Sequence, residues 1–131
     1  MAIRILVTGS RDHPSRALIQ DMITDWVVEH THYTDDVVIV HGDCPTGADH
    51  FAKELVEDWN AVGFASIAEE PHPADWDQFG KYAGPKRNKE MAALGADICL
   101  AFPYGESKGT NNCIREAEAA GIPVIITRVS V

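Results

Sequence analysis

The stretch His41-Gly42-Asp43-Cys44-Pro45-Thr46-Gly47-Ala48-Asp49 carries two glycines at the G-x-x-x-x-G spacing of a phosphate-cradling loop. A P-loop continues with Lys and then Ser or Thr, which grip the terminal phosphates and a magnesium ion. Ala48 and Asp49 stand in those places, and no G-x-x-x-x-G-K occurs elsewhere in the chain, so P-loop NTPase chemistry is set aside. What remains is a permissive turn into a helix that starts near Gly47, whose first N–H groups have no partner within the helix. Asp49 falls in that first turn, where the helix dipole favours a carboxylate. Asp43 or Asp49 reads as a helix cap. Alternatively, Asp49 beside phosphate donors accepts from ribose hydroxyls, as acidic residues do in dinucleotide-binding folds. On that second reading Gly42, Asp43, Gly47, Ala48 and Asp49 are candidate ligand contacts.

Two more glycine-containing loops follow apolar runs. In Thr8-Gly9-Ser10-Arg11, Gly9 allows close approach to the backbone, Ser10 offers a hydroxyl and Arg11 a fork for phosphate or carboxylate. The same residues also suit a tight strand-to-helix turn with a solvated arginine. In Tyr104-Gly105-Glu106-Ser107-Lys108-Gly109-Thr110, glycines, hydroxyls and a lysine meet at a helix N-terminus, the composition of an anion nest. Tyr104 suits either stacking on a base or packing at the loop root. A fourth element, "PADWDQFGKYAGPKRNKEM", has turn punctuation at Pro73–Trp76 and Gly84-Pro85, after which Arg87 and Asn88 open a helix. Arg87 reaches a phosphate from there or lies in solvent.

Other chemistries have little support. His30 and His32 are two apart and do not share a helical face, no His/Cys/carboxylate cluster has metal-site spacing, and no G-x-S-x-G elbow exists. No metal and no cofactor are expected. Cys44, Cys99 and Cys113 are odd in number and widely spaced, which reads as reduced thiols in a cytoplasmic protein. No apolar run approaches the ~20 residues of a membrane span, and the N-terminus is strand-like rather than a signal peptide. The net charge of −9, from 11 basic and 20 acidic residues, works against extended nucleic-acid binding. Yet Arg11, Arg16, Lys81, Lys86, Arg87, Lys89 and Lys108 lie in or beside the loops above, so a basic spot on an acidic body suits a small anion.

The elements that must position these loops are legible as alternating patterns. The short apolar runs Ile3–Val7, Val37–Val40, Phe64–Ile67, Ile98–Phe102 and Val124–Ile126 are rich in β-formers and too short for stable helices. Between most of them lie helical periods. Leu18, Ile19, Met22, Ile23 and Trp26 form one stripe, with Pro14 placed for a first turn; Phe51, Ala52, Leu55, Val56 and Trp59 form another. Arg87–Leu94 and Asn112–Ala120 read as further helices, the second ended by Gly121 and Pro123. Strands alternating with helices imply an α/β fold, a doubly wound parallel sheet in a single domain of 131 residues. In such sheets ligands bind beyond the carboxyl ends of the strands, where the strand order reverses.

Taken together, "VTGSR", "HGDCPTGAD", "PADW", "AGPKRNKEM", "ADICLAFPYGESKGT" and "AGIPVI" resemble, in order and over nearly the whole chain, the small YspA-like, cpYpsA-related proteins of the SLOG superfamily. That superfamily also holds the Lonely Guy phosphoribohydrolases and the Rossmann core of DprA. Such small proteins are encoded by bacteria and their phages, so a phage origin is an expectation. The resemblance implies a Rossmann-like five-stranded sheet of order 3-2-1-4-5 in three α/β/α layers. It implies a nucleotide-derived ligand, ADP-ribose-, AMP- or NAD-like. Gly9, Ser10, Arg11, Gly42, Gly47, Asp49, Arg87, Asn88, Gly105, Ser107, Gly109 and Thr110 match the motif positions. In that picture Arg11, Lys108 and the third loop's N–H groups hold phosphate while Asp49 takes ribose hydroxyls. Arg87 matches the arginine of the Lonely Guy enzymes, but their glutamate, expected two or three residues after Gly109-Thr110, is replaced by Asn112 and Cys113. The first acid is Glu116, a turn further on. Because N-glycoside cleavage needs a group that stabilises an oxocarbenium-like sugar or activates water, the expectation is a binder. An N-glycoside hydrolase using Arg87 with Glu116 or Asp49 is the alternative, and DprA-like single-strand DNA binding comes third. Relatives that dimerise through helices near the site make a homodimer an expectation as well.

Overall fold

Alternation within the apolar runs decides the architecture. In the computed structural model, which describes residues 2–63 and 66–129, strand β1 (Ala2–Gly9) sends Ile5 and Val7 to one side and Leu6 to the other. Strand β2 (Asp36–His41) does the same with Val37 and Ile39 against Val40, and β4 (Ile98–Phe102) with Ile98, Leu100 and Phe102 against Cys99. A two-residue period buried on both faces belongs to the interior of a covered parallel sheet. With β3 (Ser66–Pro71) and β5 (Val124–Ile126) the sheet has five strands, all pairs parallel, in the order β3-β2-β1-β4-β5. Ile5 pairs with Ile39 on one side and Ile98 on the other, all three buried at the centre.

Helices cover both faces. α1 (Arg16–His30) and α2 (Gly47–Val62) pack Ile19, Ile23, Val27, Ala52, Leu55 and Val56 on the Ile5/Val7 face. A short helix, α3 (Trp76–Phe79), and a 3-10 turn lead into α4 (Ala83–Ala93), which with α5 (Lys108–Ala119) covers the Leu6/Cys99 face through Met91, Ala92, Cys113 and Ala117. The result is a Rossmann-like α/β fold in three layers. The chain builds outward from β1 to β3, then crosses back to β4 beside β1. The strand order therefore reverses between β1 and β4.

Some boundaries differ from expectation. The apolar run Phe64–Ile67 lies partly outside the described residues, and β3 starts at Ser66 and continues through Glu69 and Glu70. An edge strand tolerates them because each carboxylate has a partner. His41 Nε2 lies 2.8 Å from Glu69, and Arg4 grips Glu70 with two hydrogen bonds of 2.8 and 2.9 Å. Pro14 does not enter α1: Ser15 is the cap, its Oγ accepting the Leu18 N–H at 3.1 Å. α4 starts at Ala83, so Gly84-Pro85 is not a turn but the first turn of a helix, where a missing N–H costs nothing. α5 likewise starts at Lys108, four residues before Asn112, and takes in Gly109 and Thr110.

Candidate functional site

A cleft of about 430 Å³ opens at the carboxyl ends of β1, β2 and β4, within the size range of small-molecule sites. It is lined by Gly9, Ser10 and Arg11 after β1, Gly42 and Asp49 after β2, Arg87 and Asn88 on α4, and Ser107, Lys108, Gly109 and Thr110 after β4. The cleft thus sits at the topological switch point. Asp43 instead faces an adjoining smaller hollow, and Gly47, Ala48, Tyr104, Gly105 and Glu116 line neither. Trp76, Cys44, Gly84, Pro85, Met91 and Asp12 also line the cleft. Of these, Trp76 had a visible signal, an aromatic residue in the midst of the polar "PADWDQ".

The glycines divide by cause. A Cβ on Gly9 would stand 2.5 Å from Ala48 Cβ and 2.9 Å from the Phe102 carbonyl. Gly47 has φ of 72°, and a Cβ there would strike the Ser10 carbonyl and lie 2.7 Å from Arg11 Cα. These two glycines let α2 seat its first turn on the β1 loop, where the Ala48 N–H meets the Ser10 carbonyl at 3.4 Å. The place of Gly9's missing side chain is therefore filled by protein, while the residue also lines the cleft. At Gly42 a Cβ would strike the Arg87 guanidinium. Gly109 has nothing within 4 Å of its added Cβ; the space beside it is open.

Arg87 and Asn88 form a positioning unit. Arg87 Nη1 donates to the carbonyls of Gly42 at 2.5 Å and His72 at 3.2 Å, and its Nε donates to Asn88 Oδ1 at 2.8 Å. Asn88 Nδ2 donates to Asn112 Oδ1 at 2.9 Å and to the Gly109 carbonyl at 3.3 Å. This chain ties the β2 loop through α4 to the start of α5. Asn112 is thereby part of the scaffold, and it also lines the cleft.

Neither aspartate is the N-cap of α2. That place belongs to Thr46, which makes no side-chain cap, while Asp43 is exposed at φ of 56°. Asp49 is 6% exposed, and its Oδ2 accepts the Cys44 N–H at 3.3 Å. Burial pushes its carboxyl above the ordinary range, against the opposing influence of His41, Cys44 and Arg87. Cys44 is raised by burial and then by Asp49, and burial pushes Cys113 up to about 11 and Cys99 higher still. All three are free thiols, and none is poised as a thiolate.

The loop after β4 prepares the start of α5. Ser107 Oγ donates to the Tyr104 carbonyl at 2.9 Å and accepts the Tyr104 N–H at 3.1 Å, so its hydroxyl is consumed within the loop and does not cap the helix. The helix's first backbone bond runs from Asn111 N–H to the Ser107 carbonyl, at 2.9 Å. The preceding N–H groups, at Lys108, Gly109 and Thr110, have no helical acceptor. Tyr104 packs on His13 at 5.9 Å between ring centroids and takes the structural option. Among the basic residues singled out from the sequence, Arg11, Lys81, Arg87 and Lys108 line the cleft. Arg16 instead pairs with Glu54 and Asp58 at 3.4 and 3.7 Å, and Lys86 with Glu90. Among the described residues no group of three or more His, Cys, Asp or Glu could hold a metal ion, and no helix is long and apolar enough to cross a membrane.

No protein-family model matches the chain. Two crystal structures of the C-terminal domain of a hydrogenase from Pyrococcus furiosus are distantly similar. One, 18% identical, covers 95% of this chain and 91% of that one with a TM-score of 0.48. The other, 17% identical, covers 95% and 89% with a TM-score of 0.49. Sequence similarity is much stronger to the Gene 61 protein of Mycobacterium phage D29, which is 44% identical over 122 residues, 93% of this chain and 94% of that protein. The chain belongs to the family of that phage protein.

Proposed function

We propose that the protein binds a nucleotide-derived small molecule, ADP-ribose-, AMP- or NAD-like, in the cleft between β1 and β4. One observation carries this reading: the uncapped start of α5, with open space at Gly109, faces the same cleft as Arg11, Lys81 and Lys108 in a chain of net charge −9. Backbone N–H groups with nearby cations hold phosphate, and the rest of an acidic surface repels larger polyanions. Asp49, on the β2 side of the cleft, is the acceptor we assign to ribose hydroxyls, through the small part of its carboxyl that reaches the cleft. The motif resemblance to SLOG proteins supports the same ligand class. Arg87, with two carbonyls already on its guanidinium, fixes the walls more than it binds. Calorimetry with AMP, ADP-ribose, NAD and cyclic dinucleotides tests the reading. At least one should bind, with Arg11→Ala and Lys108→Ala each weakening it. Absence of binding by all four, or binding indifferent to both substitutions, overturns it.

A second reading has an observation of its own. A carboxyl held above its ordinary range by burial, on a cleft wall, is suited to general-acid work. Asp49 in that role would make the protein an N-glycoside hydrolase acting on a nucleoside monophosphate. Glu116 does not line the cleft and has no part in it. Release of free base, detected by chromatography and lost in Asp49→Asn, would establish hydrolysis.

A further inference from the structure

We propose that Trp76 is the surface that reads the aromatic base of the ligand, so that the cleft selects nucleoside phosphates over sugar phosphates. This inference rests on the binding function above and names the part of the ligand that gives selectivity.

The chain has three tryptophans, and two of them, Trp26 and Trp59, pack against the hydrophobic core from α1 and α2. Trp76 does not. It opens a four-residue helix that has no buried residue, and it is 47% exposed. Its indole is nonetheless held in place. The tip of its six-membered ring lies against Gly84, where a Cβ would stand 3.0 Å from Cη2, and the Arg11 guanidinium lies 5.3 Å from the ring centroid. A cation over an indole face is an attractive contact that restrains both side chains. Trp76 and Arg11 both line the main cleft and also the adjoining hollow of about 360 Å³, and so stand at the boundary between the two.

A half-exposed indole fixed at the edge of a cleft presents apolar area that water covers poorly and a planar π-system covers well. Bases stack on such surfaces with little regard to sequence, because every base has a π-face. The position also fits the phosphate donors. Arg11 covers part of the indole and lies in the cleft that the α5 N-terminus faces, so one ligand can place phosphate between Arg11 and α5 and its base on the exposed part of Trp76 that Arg11 leaves open. A sugar phosphate fills the first place and leaves the second to water.

The test is the ratio of affinities for AMP and ribose 5-phosphate, measured by calorimetry on the wild-type chain, Trp76→Ala and Trp76→Phe. The wild-type ratio should favour AMP by about tenfold or more, the scale of one base–aromatic stack. Trp76→Ala should bring the ratio close to one, and Trp76→Phe, which keeps a π-face, should retain most of it. A wild-type ratio near one overturns the proposal, as does a ratio that Trp76→Ala leaves unchanged; in both cases phosphate binding survives and the function proposed above stands. If neither compound binds and the larger nucleotides fail too, both readings fall together.

Discussion

The loops after β2 and β4 look alike in sequence, each with two glycines and a hydroxyl before a helix, yet their glycines serve opposite ends. In the β2 loop, Gly42 makes room for the Arg87 guanidinium and Gly47 for the Ser10 carbonyl. The space that a side chain would take is already filled by protein. In the β4 loop, Gly109 adjoins open space and the helix start beside it has no side-chain cap. In the β2 loop the fold closes on both glycines; in the β4 loop Gly105 is required by its positive φ, and only Gly109 has neither a steric nor a backbone reason to be glycine. A glycine motif therefore identifies a ligand loop only when what fills the missing side chain's place is known.

Substitution at the glycines should separate the two loops most sharply. Gly47→Ala adds a Cβ at positive φ, where it meets the backbone of Ser10 and Arg11. Backbone strain of roughly 1–3 kcal/mol and overpacking of roughly 1–3 kcal/mol add there. We expect a loss of about 3 kcal/mol or more in urea unfolding. A variant as stable as wild type would show that the β2 loop is not closed by protein contacts.

Arg87→Ala should come next. It withdraws a charged donor from the Gly42 and His72 carbonyls and frees Asn88 Oδ1, with an expected loss of about 2 kcal/mol. Arg11→Ala, a cation exposed at the cleft mouth, should stay within about 0.5 kcal/mol of wild type in the same unfolding curves. Equal losses for the two arginines would erase the distinction between a structural and a ligand-facing cation.

Asp49 adds a pH dependence on the β2 side. Its folded carboxyl titrates above the unfolded value of 3.8 because burial disfavours the charge. Below that value both states are protonated and ionisation costs the fold nothing. As pH rises through the folded value, the unfolded chain has already gained a favourable ionisation that the fold resists, so stability falls. Asp49→Asn lacks this slope. Its stability relative to wild type should therefore rise from acid to neutral pH in thermal melts, while nucleotide affinity drops because one carboxylate oxygen, an acceptor, becomes an NH2 donor. A difference that stays flat between acid and neutral pH would show that Asp49 is not resisting ionisation.

Much of this was legible beforehand. The runs Ile98–Phe102 and Val124–Ile126 coincide with β4 and β5. Strand β4 is a covered parallel strand and reads as an unbroken apolar segment, whereas β5 is an edge strand whose Ile125 and Ile126 are exposed and was legible from its β-formers alone. Ser10, in the loop after β1, and Asp49 and Lys108, in the first turns of α2 and α5, fall on the cleft because strand ends position them. The starts of α4 and α5 were hidden by residues that signal turns, Gly84-Pro85 and Gly109, since proline is tolerated in a first turn and tertiary packing outweighs the roughly 1 kcal/mol that a helical glycine costs. Least legible was anything that depends on two distant segments meeting. The pairing of Gly42 with Arg87, the stacking of Arg11 on Trp76 and the burial of Asp49 are set by the crossover from β3 to β4, which no local pattern encodes.

The smallest effect on stability is also the one that completes the contrast. Gly109 lies in the first turn of α5 with nothing within 4 Å of an added Cβ. Gly109→Ala meets no obstacle and reduces the freedom of the unfolded chain, so stability should hold or rise by up to about 1 kcal/mol. Because Gly109 lines the cleft, an added methyl takes space that the proposed phosphate would share, so affinity for AMP or ADP-ribose should fall as the melting temperature rises. Stability and binding moving in opposite directions is the signature of a glycine kept for a ligand. If Gly109→Ala leaves nucleotide affinity intact, phosphate does not sit at the α5 N-terminus, and the open space beside Gly109 is not the ligand's.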